Sequence, residues 1–394
     1  MQPGKRGASH DDSPRVSSVT VNRRRALTFL LGSGIGCVLA LRKDGTLEAA
    51  GQQLLGKSPR PLRLPSVSVI RTILKDVSPD ALGSGATWVH EHLGFAFTSP
   101  PRQRQPGTPA PPLDIDLIVD ELRSSAKDGV TCVVDAAAGG RRSAQQLEEL
   151  RTIATRSGVH IVVAGGYYRA PYPAAANIQR SEEEIAEELV QDAASQRWGA
   201  FGEIGTSLEM HADERKMLRA VGRAHLRTGV PIFTHNPHEG CPKCPHEQLD
   251  LFESAGVNPK QLCVGHLTDV RAEQDPGWQS LRALGKRRVF LGFDTLVQDY
   301  STYKGFSVVP DADRVKMVLA VLDAGYEDQL LFSTDFSNPR QIKANWGAGL
   351  STILLDFVPK LRHAGVKEET LRKILVDNPR RFLAFVPKNI GAQK

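Results

Sequence analysis

The sequence contains no apolar run long enough to cross a bilayer. The nearest approach, Ala26–Leu41, is about 16 residues, short of the about 20 that a membrane-spanning helix needs. There is no internal repeat and no long low-complexity tract, which excludes solenoid, propeller and collagen-like architectures. Cysteine is scarce, five in 394 residues, too few for a fold stapled by disulfides. Surplus charge is missing from most of the chain. The whole carries 50 Lys/Arg against 44 Asp/Glu, a net +6. Residues 1–64 hold 11 Lys/Arg and 4 Asp/Glu, or +7, which leaves residues 65–394 at −1. The pI near 9.1 therefore belongs to the amino-terminal segment. A near-neutral body argues against a surface that tracks phosphates along a nucleic acid.

What is present begins with an export-like segment. Arg23-Arg24-Arg25 precede the apolar stretch and Arg42-Lys43 close it. That is the order of a signal peptide, and the arginine cluster resembles a twin-arginine signal with Leu27 where Phe is usual. Gly34-Ile35-Gly36-Cys37 lacks the Leu of a lipoprotein box. Residues 1–64 thus read as signal and linker, with an uncleaved membrane anchor or a disordered basic tail as the alternatives, and residues 65–394 as the folded body. The expectation is an exported, periplasmic or otherwise extracytoplasmic protein with no membrane span left after signal removal. Cys132 and Cys263 lie in apolar runs and are expected to be buried. Cys241-Pro-Lys-Cys244, flanked by His238 and His246, is open to three readings: a disulfide, a small zinc site, or a reduced loop.

The body alternates strand with helix. Eight β-rich apolar runs recur: Thr87–His90, Thr131–Asp135, His160–Ala164, Ala200–Ile204, Val230–His235, Leu262–His266, Val289–Phe293 and Leu330–Asp335. Helical patterns separate them, one opened by a Ser181/Glu184 capping box and another spanning Ala312–Ala324. Val67–Leu74 reads as a short leading strand, and Glu368–Phe385 as a helix broken at Pro379. Eight βα units predict an α/β fold, a (β/α)8 TIM barrel whose site lies at the C-terminal face of its strands. The loops on that face would be Arg102–Pro112, Arg169–Asn177, Asn236–Pro245, Asp294–Asp311 with Tyr300 and Tyr303, and Phe336–Gly347.

His90-Glu91-His92 is the most informative motif. Two histidines two apart on a strand project to one face, so both imidazoles can reach one cation. Alone, such a pair is more often structural than a ligand. Here Glu203, His235, His266 and Asp335 follow, at or next to the ends of four later runs. Any one of them has a bland reading: Asp335 could cap a helix, and Glu203 could pair with an arginine. Six such groups in strand order predict a binuclear metal centre. His90, His92 and Asp335 would serve one metal, His235 and His266 the other, with Glu203 shared. Nitrogen and carboxylate donors suit Zn2+ first, then Mn2+, Fe2+ or Co2+. A hydroxide bridging the pair would be the nucleophile, and Asp335 the catalytic group that takes its proton. His160, His211, His225 and His363 fall off the pattern and read as structural or surface residues. Asp294 closes the seventh run and would orient a ligand.

These stretches resemble the phosphotriesterase-related family of the amidohydrolase superfamily. The matching residues are Thr87–Leu93, Gly202–Ser207, Leu218–Ala220 with His225 and Thr234-His235, Gly265–Leu267, Leu331–Asp335 and Ile374–Pro379. The resemblance covers about residues 68–387. It implies the barrel, the binuclear centre and the six ligand roles. It also implies substrate contacts from Tyr168 and Arg141, and barrels that pair as a homodimer. One departure stands out: the well-studied members bridge their metals with a carboxylated lysine, and this chain has Glu203 there, which places it with the glutamate-bridged relatives. The family hydrolyses lactones, carboxyl esters, amides and phosphotriesters. The expectation is therefore a metal-dependent hydrolase of a small ester, lactone or amide, with phosphotriesters also in range. Two alternatives are a metal-dependent deoxyribonuclease of the same superfamily and a non-catalytic, metal-stabilised extracytoplasmic binding protein. The near-neutral body counts against the first, the intact ligand set against the second.

Overall fold

Strands buried on both faces build the architecture. The structure, a computed structural model, describes residues 62–94, 113–136, 141–169, 179–296 and 309–388. Its eight-stranded sheet runs in sequence order: β1 (Ala86–Glu91), β2 (Val130–Asp135), β3 (His160–Gly165), β4 (Trp198–Gly205), β5 (Ile232–His235), β6 (Leu262–Val264), β7 (Phe290–Phe293) and β8 (Leu330–Phe332). Every ladder is parallel. The connecting helices are α1 (Ile115–Lys127), α2 (Ala144–Ser157), α3 (Glu182–Ser195), α4 (Ala212–Thr228), α5 (Cys244–Ser254), α6 (Gln279–Lys286) and α7 (Asp311–Asp323), with α8 (Val358–His363) after β8. The result is the (β/α)8 barrel that the sequence predicts. The expected export signal, Cys37, the loop Arg102–Pro112, Tyr300, Tyr303 and most of Arg169–Asn177 lie outside the described residues.

The strand period of two separates two cores. Cys132, Val134, Val162, Ala164, Ala200, Phe233, Cys263 and Leu331 fill the barrel interior. Val133, Ile161 and Val163 face the helices, against Leu147, Ile153, Ile185 and Leu189. Ile70, Val77, Leu82, Phe382 and Leu383 join the interior cluster from outside the strands. Both readings of the free cysteines as buried apolar groups hold. The capping box on α3 forms as expected, with Glu184 N donating to Ser181 Oγ at 3.2 Å and Ser181 N to Glu184 Oε2 at 2.8 Å. Losing such a cap costs about 0.5–2 kcal/mol.

Three local expectations change. Within Val67–Leu74 only Ile70–Arg71 is strand, paired antiparallel with Asp76–Val77, because Thr72 turns the chain by bonding Lys75. The carboxy-terminal helix does not break at Pro379. A π-turn over Lys373–Asp377 precedes the proline, and the helical run continues through Asn378–Leu383. A wider turn removes the clash between the ring and the preceding turn, and the same device, Ile353–Phe357, precedes Pro359. The runs assigned to strands 6 and 8 end early, at Val264 and Phe332, so His266 and Asp335 stand beyond the sheet.

Between β8 and β1 side chains supply the closure. The Ser333 hydroxyl accepts from Val89 N at 2.7 Å and His90 N at 3.0 Å. The Glu91 carboxylate accepts from Thr334 N at 3.0 Å, Thr334 Oγ1 at 2.8 Å and Phe336 N at 2.6 Å. His92 N donates to Phe336 O at 2.7 Å. Barrel closure and the His-Glu-His motif are therefore one structure.

Candidate metal centre

The strand ends bring six predicted residues into one buried cluster. His90 lies on β1 and His92 just beyond its end, with ring centroids 5.3 Å apart. Glu203 sits near the end of β4, where the backbone runs close to β5: a Cβ on Gly202 would lie 2.2 Å from the Phe233 ring. The Gly202–Glu203 peptide is cis. His235 ends β5. His266 and Asp335 have φ of 53° and 52°, the left-handed region that few non-glycine residues occupy, and that backbone turn points them back to the cluster.

Glu203 lies between two groups of candidate ligands. Its Oε2 is 2.9 Å from His235 Nδ1, 3.2 Å from His90 Nε2 and 3.6 Å from His266 Nε2. Its Oε1 is 3.4 Å from His92 Nε2. Asp335 Oδ1 is 3.1 Å from His92 Nε2 and 3.9 Å from His90 Nε2. Five of the six are about 1% exposed, while the Asp335 side chain reaches 13%. Asp335 thus faces the open side.

The donor set suits divalent cations. His90, His92 and Asp335 lie within ligating reach of one another, as do His90, Glu203 and His266. Among the described residues His90 Nε2 is buried and makes no well-aligned hydrogen bond, although Glu203 Oε2 lies 3.2 Å away, which suits a ligand atom. The other ring nitrogens are held. His90 Nδ1 meets Asp294 Oδ2 at 2.9 Å, His266 Nδ1 meets Asp294 Oδ1 at 2.9 Å, and His92 Nδ1 meets Ala136 O at 3.2 Å. Metal-ligating imidazoles are oriented in this way by an outer carboxylate or carbonyl. Asp294 also accepts from His266 N at 2.6 Å, so one carboxylate aligns two imidazoles from different strands.

Electrostatics show the same demand for positive charge. Burial alone would depress His90, but the Glu203 and Asp294 charges hold it up at about 10. His266 is likewise raised by Asp294 and Glu203 against its burial. His235 goes the other way: burial and the neighbouring His266 keep it neutral, their nitrogens being 2.7 Å apart. Burial opposes ionisation of Glu203, and the His90 charge together with hydrogen bonds from His235 and His266 overcomes it. Without metal the pocket therefore carries protons in the place of cations. Loading Zn2+ at pH 7 should expel about one or two of them. Calorimetric titration of the metal-free protein in two buffers of different ionisation enthalpy measures this. Equal enthalpies in both buffers would refute it.

The structure places the remaining candidates unevenly. The Tyr168 hydroxyl is 3.1 Å from His235 Nε2, and burial keeps it protonated. Arg141 is brought elsewhere: two-thirds exposed, it pairs with Asp192 of α3 at 3.3 Å. The arginine that turns inward is its neighbour Arg142, bonded to Asp135 Oδ2 at 2.7 Å and to the Asp135 and Ala164 carbonyls. Cys241 and Cys244 are joined to each other, so they hold no zinc, and His246 bonds Ser280 instead. Sequence reasoning passed over Glu91 as a structural group and Asp269 altogether. Asp269 sits three residues after His266, a spacing that could have drawn attention to it.

A parallel eight-stranded barrel with four imidazoles and two carboxylates gathered beyond its strand ends defines the class, a barrel hydrolase of the metal-dependent kind. The family model for the phosphotriesterase family matches residues 69–383, and the chain belongs to that family. This family is binuclear and metal-dependent. N-acetyltaurine hydrolase of Danio rerio is 26% identical over 349 residues, covering 80% of this chain and 98% of that protein. Among solved structures, a resiniferatoxin-binding protein from Rhodobacter sphaeroides is 29% identical with a TM-score of 0.69, covering 80% of this chain and 94% of its own. The phosphotriesterase homology protein of Escherichia coli, complexed with phosphate in its active site, is 26% identical with a TM-score of 0.65, covering 76% and 99%.

Proposed function

We propose that this hydrolase cleaves a small carboxylic amide, ester or lactone at a binuclear centre, with amides first. The observation that carries this reading is Glu203, which offers one oxygen to His92 and the other to His90, His235 and His266. A carboxylate so placed can be shared by two cations, with Zn2+ the best match to these donors. Bound there, the cations supply Lewis-acid polarisation of a carbonyl and lower the pKa of water. The chain's own residues do the rest. Asp335, with the most open side chain of the six, accepts the proton and returns it to the leaving group. The Tyr168 hydroxyl, kept protonated, donates toward the substrate from beside His235. N-acetyltaurine hydrolases match nearly their whole length to this chain, which favours an amide over the other bonds. The proposed location outside the cytoplasm rests on Arg23–Arg25 and the apolar stretch that follows.

Acid or amine release from a panel of N-acyl amines, carboxyl esters, lactones and phosphotriesters tests the reading. Turnover of N-acyl amines is expected, abolished by a chelator and restored by Zn2+. Turnover of phosphotriesters alone would overturn the bond class. Chelator-resistant turnover would overturn the mechanism.

A further inference from the structure

A fifth histidine stands at the centre, outside the six. His238 lies three residues after His235, on the loop between β5 and α5. Ligand atoms of His235, His238 and His266 all fall within 4.8 Å of one another. The His238 ring centroid is 4.5 Å from that of His266 and 5.0 Å from that of His235. Its Nδ1 meets Asp269 Oδ2 at 2.7 Å. This repeats the pattern of His90 and His266, each with Nδ1 held by a carboxylate. Asp269 is itself fixed, since its Oδ1 accepts from Thr295 Oγ1 at 2.6 Å.

The loop is built to hold its position. Asn236 Nδ2 donates to Gly265 O at 2.8 Å, and Gln274 Nε2 to Glu239 O at 2.9 Å and Gly240 O at 2.6 Å. The Cys241–Cys244 disulfide closes the next turn. The six-residue set is also lopsided. Apart from the shared Glu203, one cation would have His90, His92 and Asp335, while the other would have only His235 and His266.

We propose that His238 is a third imidazole ligand of the second cation, oriented by Asp269. This rests on the binuclear reading above. It makes the two positions equal in protein donors, and it gives Asp269 the role for this imidazole that Asp294 has for two others.

Metal stoichiometry, without any assay of turnover, tests the proposal. The metal-free full-length protein is titrated with Co2+ and followed by its visible absorption, then checked for bound ions by elemental analysis after gel filtration. Wild type should bind two ions per chain. His238→Ala should retain one and lose the second, with a changed Co2+ spectrum. Asp269→Asn should weaken the second ion by about 10–100-fold while leaving the first. If His238→Ala binds two ions with wild-type affinity and spectrum, His238 is no ligand and the proposal fails alone. If wild type binds fewer than two ions, the binuclear reading falls and takes this one with it.

Discussion

Asp335→Asn is expected to lower kcat about 10²–10⁴-fold, the range for removal of a positioned general base, with KM changed much less. Asp335 has φ of 52°, and asparagine tolerates the left-handed region better than any other residue with a Cβ. Backbone geometry should therefore survive. The amide oxygen can still approach His92, whose Nε2 lies 3.1 Å from Oδ1. What disappears is the ability to take a proton. The other five candidate ligands are almost fully buried, so none has the same access to substrate and solvent. Steady-state kinetics with metal content measured on the same sample decide the matter. A variant that holds its full metal complement and turns over at the wild-type rate would remove Asp335 from proton transfer.

The barrel was legible because its signal is redundant. Each strand is a short apolar run, each helix has its own period, and eight repeats of the alternation leave little room for another fold. The cluster was legible for a related reason: polar residues recur where strands end. What the sequence could not show is backbone direction. His266 and Asp335 were read as the last residues of strands, and they stand beyond them in left-handed turns. Nothing in residue type announces a positive φ for histidine. Arg141 and Arg142 are adjacent and chemically identical, and nothing in residue type decides which faces inward. His238 was noticed beside Cys241 and Cys244, but its sequence neighbours suggested the wrong partners. The chain folds it against His235 and His266, while the cysteines close on each other. Pro379 looked like a stop because a regular helix cannot accept it, and the π-turn before it is invisible in composition.

Glu91→Ala is expected to destabilise the protein by about 2–6 kcal/mol and to weaken metal binding with it. The stability figure comes from two backbone N–H groups, of Thr334 and Phe336, left buried without acceptors at about 1–3 kcal/mol each. Glu91→Gln is not a neutral control, because one oxygen becomes a donor that faces another donor. The effect on metal follows from position. Thr334 and Phe336 flank Asp335, so the Glu91 carboxylate clamps the chain on both sides of a candidate ligand. Loosening that clamp should cost about 10–100-fold in affinity at the His90/His92/Asp335 position, as loss of an outer partner does. Burial pushes Glu91 up to about 8 in the metal-free protein, against the pull of its three donors. The native state then binds a proton that the unfolded chain releases near 4.5, so this group's contribution to stability is lost as pH rises from there through about 8. Cations beside His90 and His92 would favour the ionised form, which is the better acceptor. Metal loading should therefore strengthen the closure between β8 and β1 as well as fill the site. Denaturant unfolding of wild type and Glu91→Ala, with and without Zn2+, measures both parts. The wild type should gain more from Zn2+ than the variant does. An equal gain in both would show that Glu91 closes the barrel without any link to the metals.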